Sequence, residues 1–374
     1  MIYLDNAAST RLDDEVLAEM KPYLTEYYGN AQSQHSAGRA CANALVAARD
    51  KIAKYIGCTP EEVYFVSGGT EAGNTALKGV CAIHKKGHLV LSAIEHASLA
   101  ESAADMKKLG FDVTLVPPEN DGAVSAESIA NALREDTIFC SVMAANNETG
   151  VIQPVEEIGK ICRDRGIFFY TDCVQSAGYA RLPYEHADAL GFSAHKFYGP
   201  KGTGVLVIKK GSKVFRLISG GMQEHGFRGG TVNTAAIVGM AAAYEKSCLS
   251  RENVNAQING LRHKFVTRVL TEIAGTSLNG ALDKTLPSIA NISFDGCDGA
   301  NLLVLLDLNG VCVSTGAACS AGAVAPSDTL TAMGCRLSQA KGAIRFSFGK
   351  HNTEEEIDLA VDLLKSAVQK IRKN

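Results

Sequence analysis

The sequence predicts an α/β protein with a mostly parallel sheet and a second, smaller α+β domain. Short β-type runs alternate with helical patterns through roughly the first two thirds of the 374 residues, which is typical of doubly wound sheets. Several of these runs are continuously apolar, as expected for strands that are buried on both faces. Beyond about residue 255 the pattern changes, and this change predicts the second domain.

The predicted strands of the first part lie between helical patterns. The strands are Val63–Ser67, Leu89–Ser92, Val113–Val116, Ile138–Ala144, Ile167–Thr171, Ala189–Ser193 and Gly204–Ile208. The helices are the alanine-rich segment Arg39–Ile56, Ser125–Arg134 and Val155–Arg165.

The second part opens with a helical repeat and closes with another. The first repeat comprises Ile258, Leu261, Phe265, Val269 and Ile273. Two predicted strands follow, Ile289–Phe294 and Ala343–Phe348. The last helix begins near Thr353 and Glu356, which have the spacing of a capping box.

Composition excludes several classes of protein. A net charge of −3 provides no basic field for DNA or an anionic membrane. No apolar run approaches the ~20 residues of a membrane helix. The start, Met1–Asp5, lacks the features of an export signal, so we expect a cytoplasmic protein. None of the 11 cysteines forms a C-x-x-C pair, which argues against zinc and iron–sulfur sites, and we expect no metal.

Three stretches carry candidate chemistry. In "FVSGGTEAGN" a strand runs into Gly68, Gly69 and Thr70 and then into a helix, a pattern suited to binding phosphate, although a plain strand–helix turn is equally compatible. In "YTDCVQSAG" Asp172 ends an apolar strand, where ligands bind in open α/β sheets. In "GFSAHKFYGPKGTG" Lys196 follows another strand. A lysine near a phosphate site and an aspartate is the layout of a Schiff-base lysine for pyridoxal phosphate.

With these motifs the chain resembles the cysteine desulfurases of the NifS/IscS family, which are pyridoxal-phosphate enzymes with the class V aminotransferase fold. The resemblance extends from "YLDNAAST" to "IRFSFGKHNTEEEID" and includes "SGGTE", "EH", "NNETG", "DCVQS", "SAHKFYGPKG", "FRGGT" and "GAACSAG". It implies fold type I, with a large cofactor-binding domain at 15–255. The small domain would comprise 1–14 and 256–374.

The resemblance also implies roles for individual residues around the cofactor ring. Lys196 would hold pyridoxal phosphate covalently and move the substrate's α-proton. Asp172 would face the ring nitrogen and keep it protonated, and His96 would stack on the ring and move protons. Gln175 and Asn147 would lie near the phenolic oxygen and the substrate.

The phosphate of the cofactor and the carboxylate of the substrate would be bound by different sets of residues. The phosphate would be bound by Gly69, Thr70, Ser193 and His195, and by Thr231 acting in the other subunit of a homodimer. Arg345 would bind the α-carboxylate of L-cysteine, because a planar two-pronged guanidinium suits a carboxylate.

Met222 and His225 depart from the family's pattern near the dimer contact. The chain also stops soon after its last helix, where some relatives carry a tail that docks a scaffold protein.

Cys319 takes the place of the family's nucleophile, in the small-residue stretch "VSTGAACSAGAVAPSD". It would accept sulfur as a persulfide and pass it to an acceptor protein for iron–sulfur clusters or tRNA thiolation. We therefore expect about Ala318–Ser327 to be mobile. The alternatives are a selenocysteine lyase or small-amino-acid aminotransferase of the same fold, a non-catalytic scaffold and a nicotinamide dehydrogenase, although the glycine fingerprint of the last is absent.

Overall fold

A computed structural model describes residues 1–281, 283–316 and 326–373. In chain order the strands are β1 (Ile2–Tyr3), β2 (Val63–Val66), β3 (His88–Ser92), β4 (Asp112–Val116), β5 (Thr137–Ser141), β6 (Phe168–Asp172), β7 (Ala189–Ser193), β8 (Gly204–Ile208), β9 (Thr276–Asn279), β10 (Ile289–Phe294), β11 (Val311–Cys312) and β12 (Ala343–Ser347).

The helices fall between these strands. They are α1 (Asp14–Met20), α2 (Pro22–Thr25), α3 (Ser36–Ile56), α4 (Gly69–His84), α5 (Ala97–Lys108), α6 (Ala126–Ala132), α7 (Val155–Asp164), α8 (Thr234–Glu272), α9 (Gly299–Leu308), α10 (Asp328–Ala332), α11 (Leu337–Lys341) and α12 (Glu354–Lys373). Every predicted strand and helix overlaps one of these elements.

Within the described residues, the large sheet has seven strands in the order β2-β8-β7-β6-β5-β3-β4. Its central pairs are parallel, and β8 runs antiparallel to both of its neighbours. Strands β3, β7 and β8 are buried along their whole length, which agrees with their largely apolar sequences. The carboxyl ends of β2, β5, β6 and β7 therefore meet at one edge of the sheet.

Within the described residues, two smaller sheets form outside the large one. Strands β12, β10 and β9 form an antiparallel sheet, and β1 pairs in parallel with β11. Residues Ile2 and Leu4 pack in the same core as α12 and the carboxyl half of α8. The fold class predicted from the sequence, α/β with a smaller α+β part, is confirmed.

Helix α8 crosses position 255, where the sequence suggested a domain boundary. Its amino-terminal half packs with the large sheet through residues such as Tyr244, whose ring stacks on Phe192 with centroids 5.1 Å apart. Its carboxyl-terminal half packs with the small sheet through Ile258 and Phe265. One continuous helix thus contributes to two cores, and the division at 255 remains a prediction.

Two boundaries show how side chains set the ends of elements. Strand β5 ends at Ser141, three residues before the predicted end, because the N–H of Met143 donates to the Glu95 carboxyl (2.7 Å). At α12 the predicted capping box forms, since Thr353 Oγ1 accepts from the Glu356 N–H and Glu356 Oε2 accepts from the Thr353 N–H, both at 3.3 Å.

Among the described residues, no helix combines the length and apolar character needed to cross a membrane.

Candidate active site

A cavity of about 250 Å³ opens at the carboxyl ends of the central strands of the large sheet. Its lining includes these residues that the sequence singled out: Gly69, Thr70, His96, Asn147, Asp172, Gln175, Ser193, His195 and Lys196. The remaining lining residues, which the sequence did not reveal, are Ser98, Met143, Ala145 and Val174. These four are small, apolar or weakly polar, and such residues carry no chemical signature in a sequence.

One end of the cavity is shaped for an anion. Helix α4 begins at Gly69, whose N–H donates to Ser193 Oγ at 2.7 Å. A Cβ at Gly69 would lie 2.3 Å from Val174 Cγ2, so a larger residue would not fit there. The first amides of a helix have no partner within it and attract anions, and Thr70 adds an exposed hydroxyl.

His195 lies beside this anion site in its neutral form. Burial, with the charges of Lys196 and Lys201, lowers its pKa to about 4. Its Nδ1 is 3.3 Å from Ser9 Oγ. Near pH 7 the ring therefore offers one N–H donor rather than a second positive charge.

Asp172 forms the floor of the cavity at the end of β6. It is buried, and its Oδ1 accepts from the Val174 N–H at 2.8 Å. Burial raises its pKa, while the charges of His96 and Lys196 act in the opposite direction. A buried carboxyl group that faces a cavity is complementary to a cationic N–H group of a ligand.

Lys196 reaches the cavity from a short 3₁₀ turn that follows β7. Its Nζ donates to the carbonyls of Ala7 (2.5 Å) and Ala8 (3.0 Å), and Gln175 Nε2 also donates to the Ala7 carbonyl (3.1 Å). The amino-terminal segment thus passes directly beside the lysine. The sequence indicated the motif "YLDNAAST" but assigned no role to these two carbonyls.

His96 is the N-cap of α5 and its ring is exposed. The N–H of Ser98 donates to its Nδ1 at 3.1 Å. In the neutral ring the proton therefore sits on Nε2, the nitrogen available to a ligand.

Glu95 precedes His96 in the chain, and its carboxyl group links the end of β3 with the segment that follows β5. Its Oε1 accepts from Ser92 Oγ (2.6 Å) and from the Met143 N–H (2.7 Å). Burial raises its pKa to about 7, and the nearby charge of Asp172 adds to this effect. The sequence showed Glu95 only as part of the motif "EH".

Arg345 is not among the cavity-lining residues and lies behind Asn147. Its Nη1 donates to the Asn147 carbonyl (2.9 Å), and its Nη2 pairs with Asp5 Oδ1 (3.0 Å). Its Nε is buried and has no hydrogen-bond partner among the described residues. The guanidinium thus lies beside the site with its Nε–H unused.

Thr231 and Cys319 are the remaining residues that were predicted for the site. Thr231 is exposed and does not line the cavity of its own chain, so its role in another subunit remains a prediction. Cys319 lies outside the described residues. Of the stretch expected to be mobile, 318–325 is also outside them. Ser327, at its end, is buried and hydrogen-bonded to Glu148, and the expected mobility stays a prediction.

The residues present fit pyridoxal phosphate. The backbone at Gly69 leaves no room for a side chain, and polar donors surround it, which suits a phosphate. Asp172 provides a buried carboxyl group for a ring nitrogen, and Lys196 provides an amine for a covalent bond. Among the described residues, no cluster of His, Cys, Asp and Glu side chains could hold a metal ion.

Comparisons with known proteins agree with this geometry. Residues 2–360 match the class-V aminotransferase family. The chain is 43% identical to the cysteine desulfurase IscS of Dictyoglomus turgidum, over 99% of this chain and 95% of that protein. It is 40% identical to the IscS of Clostridium botulinum, also over 99% and 95%.

Solved structures show the same relationship. A NifS-like protein superposes with a TM-score of 0.93 at 36% identity, covering 99% of both chains. SspA, solved in complex with cysteine, gives a TM-score of 0.83 at 32% identity, over 94% of this chain and all of that one. The chain therefore belongs to the class-V aminotransferase family of pyridoxal-phosphate enzymes, and within that family to the cysteine desulfurases.

Proposed function

We propose that this enzyme converts L-cysteine to L-alanine and carries the removed sulfur as a persulfide on Cys319. The observation that supports this most directly is the meeting of Thr70, Asp172, Ser193 and Lys196 in one cavity. It combines an anion site, a buried carboxyl group and an amine, as the cofactor requires.

The cofactor would be held at three points. Its phosphate would lie at the amino terminus of α4, against Gly69, Thr70, Ser193 and neutral His195. The Asp172 carboxylate would face the ring nitrogen, and Gln175 would lie near the phenolic oxygen. When bound, pyridoxal phosphate withdraws electrons from the substrate carbons, which weakens the Cα–H bond and then the bond to sulfur.

Lys196 and His96 would move protons. With substrate bound at the cofactor, the Lys196 amine would accept the proton from the substrate Cα. The carbonyls of Ala7 and Ala8 orient Nζ beforehand. His96 presents its Nε2 side to the ligand because Nδ1 is occupied by the Ser98 N–H.

Sulfur would leave by attack of the Cys319 thiolate on the substrate sulfur, since the thiolate is the nucleophilic form. A new S–S bond forms and the C–S bond breaks, with its electron pair remaining on the carbon side. That carbon takes up a proton and becomes the methyl group of alanine. Overall, L-cysteine and the Cys319 thiol yield L-alanine and a Cys319 persulfide.

The setting of this reaction is also part of the proposal. A sulfur-acceptor protein would collect the persulfide, for iron–sulfur clusters or for tRNA thiolation, and the IscS name of the relatives favours the first. We further propose a cytoplasmic homodimer in which Thr231 reaches the phosphate of the other subunit.

The test is to incubate the enzyme with L-cysteine and a reductant and to measure alanine and sulfide together. Equal yields, abolished in Lys196→Ala and in Cys319→Ser, are expected. Full alanine production by Cys319→Ser would refute the persulfide route. Sulfide without alanine would indicate β-elimination to pyruvate, and turnover of L-selenocysteine alone would identify a selenocysteine lyase.

A further inference from the structure

One carboxyl group contacts both flanks of the segment that contains Cys319. Ser327, on the carboxyl side, donates from Oγ to Glu148 Oε2 at 2.5 Å. Gly316, on the amino side, lies against the same oxygen, because a Cβ built there would be 1.9 Å from Glu148 Oε2. Glu148 thus fixes how far apart the two flanks are.

The contact between Glu148 and Ser327 is strong because both residues are buried. Glu148 is 8% exposed and Ser327 is 4% exposed. Burial raises the pKa of Glu148, and the hydroxyls of Ser327 and Thr329 and the charge of Arg345 oppose that shift. A buried carboxyl group that loses its hydrogen-bond partners is costly, so Glu148 holds its donors firmly.

Glu148 also belongs to the turn that forms one wall of the cavity. Its N–H donates to Asn146 Oδ1 at 2.9 Å, and its carbonyl accepts from Asn291 Nδ2 at 3.3 Å. The preceding residue, Asn147, lines the cavity and accepts from Arg345. The same short turn therefore touches both the substrate side of the site and the flanks of the Cys319 segment.

The backbone before Gly316 is fixed independently. Ser314 and Arg345 exchange two backbone hydrogen bonds, of 3.2 and 2.7 Å. Three chain steps separate Gly316 from Cys319 in the sequence, and three steps can span at most ~10 Å. Gly316 therefore sets the point from which the Cys319 segment leaves the described fold.

We propose that Glu148 is a positioning residue for sulfur transfer, which places the start and the end of the Cys319 segment at a fixed distance from the cofactor cavity. It touches neither substrate nor cofactor and acts through Gly316 and Ser327. This inference rests on the proposed role of Cys319.

The principal test is Glu148→Ala, assayed as holoenzyme for alanine formation from L-cysteine. We expect kcat to fall by roughly 10- to 100-fold, because small displacements of a reacting group have effects of this size. We expect KM for L-cysteine to stay within about threefold and the cofactor's visible absorbance to be unchanged, since substrate and cofactor are bound elsewhere. Alkylation of Cys319 by iodoacetamide should proceed within about threefold of the wild-type rate, since Glu148 is not needed for the chemistry of the thiol.

Two variants distinguish positioning from a general loss of stability. Glu148→Gln keeps the volume and an acceptor oxygen for Ser327, so it should restore kcat to within about threefold of wild type. Glu62→Ala is the matched control, because Glu62 is also buried and hydrogen-bonded, to Tyr184 and the Lys210 N–H, but far from the cavity. It should lower stability without selectively lowering kcat.

A third variant tests the contact at Gly316. Gly316→Ala should lower kcat in the wild-type background because its Cβ meets the Glu148 carboxyl group. In the Glu148→Ala background the same change should have little further effect, since the obstructing oxygen is gone.

The outcomes separate this inference from the proposed function. If Cys319→Ser abolishes alanine formation while Glu148→Ala keeps wild-type kcat, the positioning role is wrong and the function stands. If Cys319→Ser retains activity, the proposed function itself is wrong. Additive effects of Gly316→Ala and Glu148→Ala, or equal losses in Glu148→Gln and Glu148→Ala, would also overturn the inference.

Discussion

Two regions meet at the cavity and are built differently. We call Thr70, Asp172, Ser193 and Lys196 the strand-end wall, because each lies at or just after the carboxyl end of a strand in the large sheet. We call Asp5, Glu148, Ser327 and Arg345 the junction. Its members come from four separate parts of the chain, and the Asp5–Arg345 pair joins residues 340 positions apart.

The difference concerns what holds each region in place. The wall depends on neighbouring strands joined by backbone hydrogen bonds, which do not depend on side-chain identity. The junction is held largely by buried side-chain contacts, such as those of Glu148 with Ser327 and of Arg345 with Asp5. Substitutions in the wall should therefore change the chemistry, whereas those in the junction should change how substrate and thiol are placed.

The largest effect is expected at the wall in Lys196→Ala. This change would remove the amine that we propose bonds to the cofactor and moves the α-proton, so alanine formation should fall by at least about 10³-fold. The visible absorbance of the bound cofactor should change with it. Residual activity within tenfold of wild type would show that another group moves the proton.

Asp172→Asn should have the next largest effect. An amide cannot supply the negative charge that keeps a ring nitrogen protonated, and losses near 100-fold in kcat are typical for one electrostatic contact. Stopped-flow measurement of kcat, together with the amount of bound cofactor, tests this. If kcat changes by less than about threefold while the cofactor stays bound, Asp172 does not serve the ring.

At the junction, Arg345→Lys should act mainly on substrate binding. Lysine cannot reproduce the two-pronged contact with a carboxylate, so KM for L-cysteine should rise about tenfold or more, with a smaller change in kcat. Arg336→Lys is the control, because Arg336 is exposed. A fall in kcat with unchanged KM would instead assign Arg345 to the chemical step.

The smallest effect is expected from His195→Gln, measured as acid stability of the cofactor-free protein. The folded pKa is about 4 and the ordinary value is 6.5, so between these pH values the unfolded chain binds more protons. Wild-type stability should therefore fall as pH drops from 6.5 to 4, by about 1–2 kcal/mol at pH 5. Urea unfolding at pH 7.5 and pH 5 measures this change, and the free energy of unfolding should fall less in His195→Gln than in the wild type. An equal loss would mean that His195 is not buried in its neutral form.

Much of the wall could be predicted from the sequence because it follows local rules. An apolar run ending in Asp172 or in Ser193 identifies a strand and its carboxyl end, and the glycines before Thr70 identify a turn into a helix. The junction could not be predicted in this way. Nothing near Glu148 in the sequence indicates that its carboxyl group contacts Gly316 and Ser327.

The sequence by itself predicted the fold class and placed a phosphate turn, Asp172 and Lys196 at one edge of the sheet, because strand periodicity and turn composition are local properties. The predicted roles of His96, Asn147, Gln175, Arg345 and Cys319 came from the resemblance to a known family. Only the tertiary structure decided which distant segments complete the site. The contact of Lys196 with the Ala7 carbonyl, the place of Arg345 behind Asn147 and the contacts of Glu148 all depend on packing between elements far apart in the chain. Such contacts arise from the fold as a whole, and so no local pattern predicts them.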